Sequence, residues 1–268
     1  MKARPFLKWA GGKSKLLPTL LEAIDYSVLV DFKYCEPFLG GGALFFEILP
    51  TEALLRDANA RLVNAYTIVR DQLDALVESL RELQASHCLD QYKLAREALN
   101  TGKLESVDEA AVFVYLNKTC FNGVYRVNAG GDFNVPMGRY ENPRVLDEPA
   151  LRAASAALQG ATLEVGDFRD LPGRLPGTCF VYLDPPYWPG QNGFTTYVPG
   201  GFGLEDQLRL REVFGELDRR GHKLLLSNSP AARHLYEDYR VDVVRAPRSV
   251  NSKGGERGLV EEILVRNF

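Results

Sequence analysis

Five consecutive apolar residues, Cys179-Phe180-Val181-Tyr182-Leu183, end abruptly at Asp184-Pro185-Pro186-Tyr187-Trp188. A run this short and this apolar reads as a strand buried on both faces, which in practice means a strand inside a mostly parallel sheet covered by helices. Further short runs have the same character: Asp31-Phe32-Lys33-Tyr34-Cys35, Ala53-Leu54-Leu55-Arg56, Thr162-Leu163-Glu164-Val165, Lys223-Leu224-Leu225-Leu226-Ser227 and Ile263-Leu264-Val265. Helix-like segments separate most of them, which is the α/β pattern. Between about 60 and 118 the pattern changes to charged, helix-period sequence such as Leu73-Leu76-Leu80-Leu83, and it runs into a Gly/Asn-rich segment over 117–140. The reading is an α/β domain over 1–59 and 146–268, with a mainly helical insertion over 60–145 between the second and third strands.

The chemistry is expected where apolar strands stop, because open α/β sheets bind ligands at the carboxyl ends of their strands. The first such place is Cys35-Glu36-Pro37-Phe38-Leu39-Gly40-Gly41-Gly42, followed by the helical run Ala43-Leu44-Phe45-Phe46-Glu47. Glycines at a strand–helix junction let a ligand approach the backbone. Asp57 ends the next strand, and an acid there suits ribose hydroxyls. Gly12-Lys13-Ser14 has the end of a phosphate-binding loop, but that motif needs a glycine at position 7, where Leu7 stands, so triphosphate hydrolysis is not the reading.

Asp184-Pro185-Pro186-Tyr187 is the second place. Two prolines stiffen the turn, so a carboxylate, a carbonyl and an aromatic ring are presented in a fixed array. An exocyclic amine on a nucleobase needs that set. Its lone pair is delocalised into the ring, acceptors on its two hydrogens free it, and an aromatic ring stacks the base. None of the cysteines Cys35, Cys88, Cys120 and Cys179 follows a proline, which argues against attack on cytosine C5 by a thiolate. Their scatter fits reduced thiols.

Net charge is −3, yet it is segregated. Residues 1–15 carry Lys2, Arg4, Lys8, Lys13 and Lys15 without an acid, and 245–257 carries Arg245, Arg248, Lys253 and Arg257 against Glu256, whereas 71–109 is acidic. Such segregation predicts a basic face on an acidic protein. No apolar run is long enough to span a bilayer, and Lys8 interrupts any leader-like core, so the expectation is a cytoplasmic protein without a membrane. The Gly/Pro-rich stretch 189–203, with Phe194, Tyr197 and Phe202, reads as a lid over the substrate.

Taken in order, Lys8-Trp9-Ala10-Gly11-Gly12-Lys13, Glu36 to Gly42, Asp57-Ala58-Asn59, Asn134-Val135-Pro136-Met137-Gly138-Arg139-Tyr140 and Asp184 to Tyr187 resemble the Dam family of adenine-N6 DNA methyltransferases, from about Pro5 to the C-terminus. The catalytic tetrapeptide alone also suits RNA, cytosine-N4 or protein-glutamine methylation; the N-terminal and Asn-Val-Pro segments make the resemblance specific. It implies a seven-stranded, mostly parallel Rossmann-like methyltransferase sheet with an inserted target-recognition domain. It also implies S-adenosylmethionine as methyl donor, no metal, and double-stranded DNA as substrate, with the adenine flipped out and methylated in line. Carried over residue by residue, Asp184, Pro185 and Tyr187 are catalytic. Trp9, Ala10, Gly11, Lys13, Pro37, Phe38, Gly40, Gly42, Asp57, Asp167, Phe168 and Asp184 hold the cofactor, and Lys8, Asn122, Val124, Arg126, Asn128, Asn134, Pro136 and Tyr140 contact DNA, with GATC as the target. Val124-Tyr125 falls at a position of the base-reading loop that varies in the family. The expected assembly is a monomer or weak dimer, and a restriction endonuclease as working partner stays open. An RNA or protein N-methyltransferase and a non-catalytic DNA-binding module are the rival readings.

Overall fold

The computed structural model describes residues 2–24, 29, 32–175, 177–188, 202–247 and 259–268. The chain divides into two compact units. One comprises Met1–Gly12, Gly40–Leu49 and Asn59–Gln159; the other comprises Lys13–Leu39, Pro50–Ala58 and Gly160–Phe268.

The second unit is built on a seven-stranded sheet. Its strands are β1 (Lys33–Glu36), β2 (Ala53–Asp57), β3 (Ala161–Val165), β4 (Cys179–Leu183), β5 (Lys223–Asn228), β6 (Arg240–Pro247) and β7 (Leu259–Arg266). The spatial order is β3-β2-β1-β4-β5-β7-β6. The five strands from β3 to β5 run parallel, while β7 is antiparallel to both β5 and β6. Apolar sequence dictates this arrangement: every residue of β4 is buried, as are four of the five in β2. Helix α1 (Leu17–Ala23) also belongs to this unit.

The order reverses between β1 and β4, which is the topological switch point where ligands bind in open α/β sheets. Glu36 and Asp184 stand at the carboxyl ends of these two adjacent strands. The core below them contains Val181, Leu183, Leu224, Leu226, Ile263 and Val265, together with Leu210, Phe214 and Leu217 of the helix Leu204–Arg219.

The expected strand at 31–35 begins at Lys33, and Asp31 lies outside the described residues. Strand β6 was not anticipated. Its sequence, Arg-Val-Asp-Val-Val-Arg-Ala-Pro, mixes charge into the run because it is an edge strand that pairs on one side with β7.

The first unit contains α2 (Ala43–Ile48), α3 (Ala60–Asp71), α4 (Leu73–Ala85), α5 (Leu89–Thr101), α6 (Ser106–Thr119) and α7 (Glu148–Leu158); Leu204–Arg219 is α8 of the second. Asn59 starts α3 by accepting from the backbone N–H groups of Arg61 and Leu62 at 3.1 and 3.2 Å. Helix α6 is buried from Ala110 to Asn117, so it reads as apolar all round, and α3, α4 and α5 pack against it. In α4 the leucine period resolves into a buried Leu76, Val77 and Leu80. Among the described residues no helix is long and apolar enough to cross a membrane.

Candidate active site and recognition loop

In the sheet unit, the turn after β4 is held from several directions. Lys13 follows Gly12 in the 3₁₀ turn Lys13–Lys15 and is buried to 6% exposure. Its Nζ lies 2.7 Å from Asp184 Oδ1 and 4.6 Å from the centre of the Tyr187 ring. Ser227, at the end of β5, donates to the same Asp184 oxygen at 2.8 Å, and the Tyr182 hydroxyl lies 3.0 Å from Ser227 Oγ. Gln207 of α8 donates to the Pro186 carbonyl at 3.3 Å and accepts from Asn228 at 2.8 Å. Ser229 Oγ donates to the Trp188 carbonyl at 2.5 Å. The Tyr187 hydroxyl donates to Glu262 Oε2 at 2.5 Å.

Burial, with Asp184 and Glu262 nearby, pushes the Tyr187 phenol well above its ordinary range, so it stays a donor. Burial likewise raises the Glu262 carboxyl, against the pull of Lys13 and the Tyr187 hydrogen bond. The result is one carboxylate with a fixed orientation beside one aromatic ring, on a turn that cannot rearrange without breaking these bonds.

Sequence reasoning anticipated Lys13, Asp184 and Tyr187, and the structure brings them together. It did not find Ser227, Gln207 or Glu262. Ser227 carried a usable signal, since it is a polar residue at the carboxyl end of an apolar strand, as Asp184 is. Glu262 carried none, being one acid of a pair inside Val260-Glu261-Glu262-Ile263.

The rest of the sheet unit's candidate residues cluster around β1 and β2. Buried Glu36 accepts from the Tyr34 hydroxyl. The Leu39 N–H donates to the Arg56 carbonyl at 2.9 Å, which ties the Pro37-Phe38 turn to β2, where Asp57 is the last residue. Phe38 meets Phe168 at 5.4 Å between ring centres and Phe202 at 6.1 Å. Aromatic faces beside carboxylates at strand ends suit a nucleoside, which stacks its base and donates its ribose hydroxyls. Asp167 is engaged by Arg169, which donates from its backbone and guanidinium at 2.7–2.9 Å and holds the carboxyl below its usual range. Phe202, expected in a surface lid, is buried in the core, at 7% exposure. Of that expected lid, 189–201 lies outside the described residues, as do Arg248, Lys253 and Arg257.

In the helical unit, Gly40 and Gly42 take φ of 48° and 63°. A Cβ on Gly40 would lie 2.8 Å from Trp9 Cδ1, so the glycine is required for the indole to sit against the loop. Trp9 also stacks on Tyr125, with ring centres 5.8 Å apart and planes 15° from parallel. Ala10 and Gly11 continue this segment, and the Gly12 N–H donates to the Trp9 carbonyl at 3.0 Å.

Lys8 is braced by Asn117, which accepts its N–H at 2.8 Å and donates to its carbonyl at 2.6 Å. The Lys8 ammonium reaches the Lys118 carbonyl at 3.1 Å and lies 4.2 Å above the Tyr140 ring. The loop that follows α6 exposes Phe121, Asn122, Arg126, Asn128, Asn134 and Pro136, with Val124 half-buried. Arg126 Nε donates to Asn134 Oδ1 at 2.8 Å, which aims the guanidinium. Asn128 closes its own turn by accepting from the N–H groups of Gly130 and Asp132, both at 2.9 Å. The basic N-terminus is partly neutralised: Lys2 pairs with Glu47 at 2.6 Å and Arg4 with Asp147 at 2.9 Å, as Lys13 does with Asp184.

Comparison with known proteins gives a family match over most of the chain and several relatives of similar length. Residues 9–250 match the model of the D12 class N6 adenine-specific DNA methyltransferases. The chain is 39% identical to the type II methyltransferase M1.LlaDCHI of Lactococcus lactis subsp. cremoris, over 99% of this chain and 95% of that one. It is 38% identical to the type II methyltransferase M.MjaIII of Methanocaldococcus jannaschii, over the whole of both. It is 35% identical to the DNA adenine methylase of Escherichia coli K12, over 98% and 95%.

Proposed function

The chain belongs to the D12 class of N6 adenine-specific DNA methyltransferases, and on that premise we propose that it methylates adenine N6 within GATC in duplex DNA, on a base turned out of the helix. S-adenosylmethionine, when bound, supplies a methyl group already activated on a sulfonium. What falls to the protein is to hold the amine in line with it. The observation that carries the reading is the Asp184 carboxylate, anchored on one oxygen by Lys13 and Ser227 beside the Tyr187 ring. That leaves the second carboxylate oxygen to accept from the amine, and a ring on which to stack an adenine. Unstacking a base costs a few kcal/mol, which these contacts offset.

Residue roles follow the family pattern. Lys13, Asp57, Phe38, Phe168 and Asp167 serve the cofactor, and so do Trp9 and the Gly40–Gly42 loop. The stretch 60–145 is the target-recognition insert. Arg126, aimed by Asn134, bonds guanine O6 and N7, Pro136 meets a thymine methyl, and Lys8 reads the guanine next to the target. The type II names of two relatives support a working partnership with a restriction endonuclease.

Incubation of the protein with S-adenosylmethionine and a plasmid, followed by mapping of N6-methyladenine, tests the proposal. Methylation at GATC supports it. A mapped motif other than GATC overturns the site assignment, and methyl transfer to RNA or peptide but not DNA overturns the substrate.

A further inference from the structure

Tyr187 is not held by its own turn. Its hydroxyl is anchored 75 positions away on β7, the antiparallel strand wedged between β5 and β6. The register explains how. Ile263 pairs with Asn228 and Leu264 with Ser227, so β7 runs past the carboxyl end of β5. Ile263, Leu264 and Val265 are buried while Glu262 is half-buried. Its neighbour Glu261 makes an ordinary surface pair with Arg245 at 3.3 Å. A carboxyl group drawn partly out of water is unfavourable unless it is engaged, and burial does push this one up. What engages it is the Tyr187 hydroxyl, with the Lys13 charge close by.

We propose that Glu262 is a positioning residue for methyl transfer, which fixes the plane of the Tyr187 ring against which the target base stacks. This rests on reading Asp184–Tyr187 as the amine site. The ring is pinned at two points: Glu262 holds its hydroxyl, and the Lys13 ammonium lies 4.6 Å from its centre. The base therefore stacks on the ring face turned away from Lys13. With the hydroxyl released, the ring tilts about its side-chain torsions, and the amine loses alignment with the methyl donor. Misplacement on the order of an ångström costs roughly 100-fold in rate.

The test compares Glu262→Ala, Glu262→Gln, Tyr187→Phe and the double variant Tyr187→Phe/Glu262→Ala with the wild type. It uses single-turnover methylation of a GATC duplex, fluorescence of 2-aminopurine at the target position, cofactor titration and urea melts. The expected result is a 10- to 100-fold slower transfer in Glu262→Ala, with cofactor affinity within threefold. Tyr187→Phe removes the same bond and shows the same loss. The double variant is within threefold of either single variant, and Glu262→Gln, which keeps an acceptor, returns to within about fivefold of wild type. The 2-aminopurine signal of the complex changes in Glu262→Ala and is restored in Glu262→Gln.

Full transfer rate in Glu262→Ala, or losses that multiply in the double variant, overturns the proposal. If Glu262→Ala does not fold, a normally melting Tyr187→Phe with unimpaired transfer overturns it equally, and one with the stated loss supports it. A wild-type protein that makes no N6-methyladenine overturns the parent reading and this one together, which the wild-type lane separates from failure of Glu262 alone.

Discussion

Removing the Asp184 carboxylate should separate catalysis from stability in a measurable way. Its partner Lys13 has a side chain 7% exposed, the carboxylate itself is 19% exposed, and the two are 2.7 Å apart. Breaking a buried pair by deleting one member costs about 3–5 kcal/mol, because an uncompensated charge remains. The partial exposure of Asp184, the Tyr187 ring near the ammonium and the Glu262 carboxyl, on which the Lys13 charge also acts, place the expected loss for Asp184→Ala at the low end, about 3 kcal/mol. Against a typical total of about 5–15 kcal/mol the variant remains folded. Turnover, by contrast, should fall by roughly 100-fold or more, on the scale of preorganised electrostatic groups. Pairing Asp184→Asn with Lys13→Met removes both charges while keeping volume. Stability should then return to within about 1 kcal/mol of wild type while turnover stays lost, since the two sites are coupled. Urea denaturation at constant m-value and single-turnover methylation read the two quantities. An Asp184→Ala protein as stable as wild type would refute the ion-pair argument, and one retaining above a tenth of wild-type turnover would refute the catalytic one.

Asp57→Ala should weaken S-adenosylmethionine far more than DNA, by about 1.5–3 kcal/mol per lost charge-assisted bond; equal cofactor affinity in a titration places the ribose elsewhere. Arg126→Ala should cost about 1–3 kcal/mol at the cognate site and relax one position of the motif, read by sequencing methylated sites, whereas uniform weakening with a salt slope lower by about one marks a phosphate contact. Gly160→Ala puts a Cβ 2.2 Å from the Thr51 carbonyl where β3 joins β2, so a loss of about 1–3 kcal/mol is expected in a urea melt, and an unchanged midpoint would contradict the packing. Burial first, then the nearby Lys8 charge, lowers the Lys118 amine to about 8, below its unfolded value. The charged form is therefore penalised in the native state below about pH 8, and the penalty fades as pH rises towards about 10.4, the free lysine value. Lys118→Met should then be stabilising at pH 7, by at most about 3 kcal/mol, with the advantage shrinking by pH 9.5; an equal advantage at both values excludes titration of Lys118 as its source.

What the sequence determined by itself was everything governed by near neighbours. Apolar runs such as Cys179–Leu183 must be buried on both faces, so they declared the inner strands, and the stiff Asp184-Pro185-Pro186-Tyr187 turn followed directly from one of them. The Gly40–Gly42 run marked a strand–helix junction open to a ligand, and the structure gives Gly40 and Gly42 positive φ there. The edge strand β6 stayed hidden, because pairing on one side leaves charged residues free to interrupt its period. Tertiary structure alone decided what surrounds the turn. Ser227, Gln207 and Glu262 reach it because β5, α8 and β7 converge there, and no local pattern encodes which of two consecutive glutamates will face inward. It also decided that Tyr125 stacks on Trp9, and that Lys2 and Arg4 pair with acids far along the chain instead of forming a bare basic face. Periodicity carries burial, but the partner of a buried polar group is fixed only when strands distant in sequence come into register.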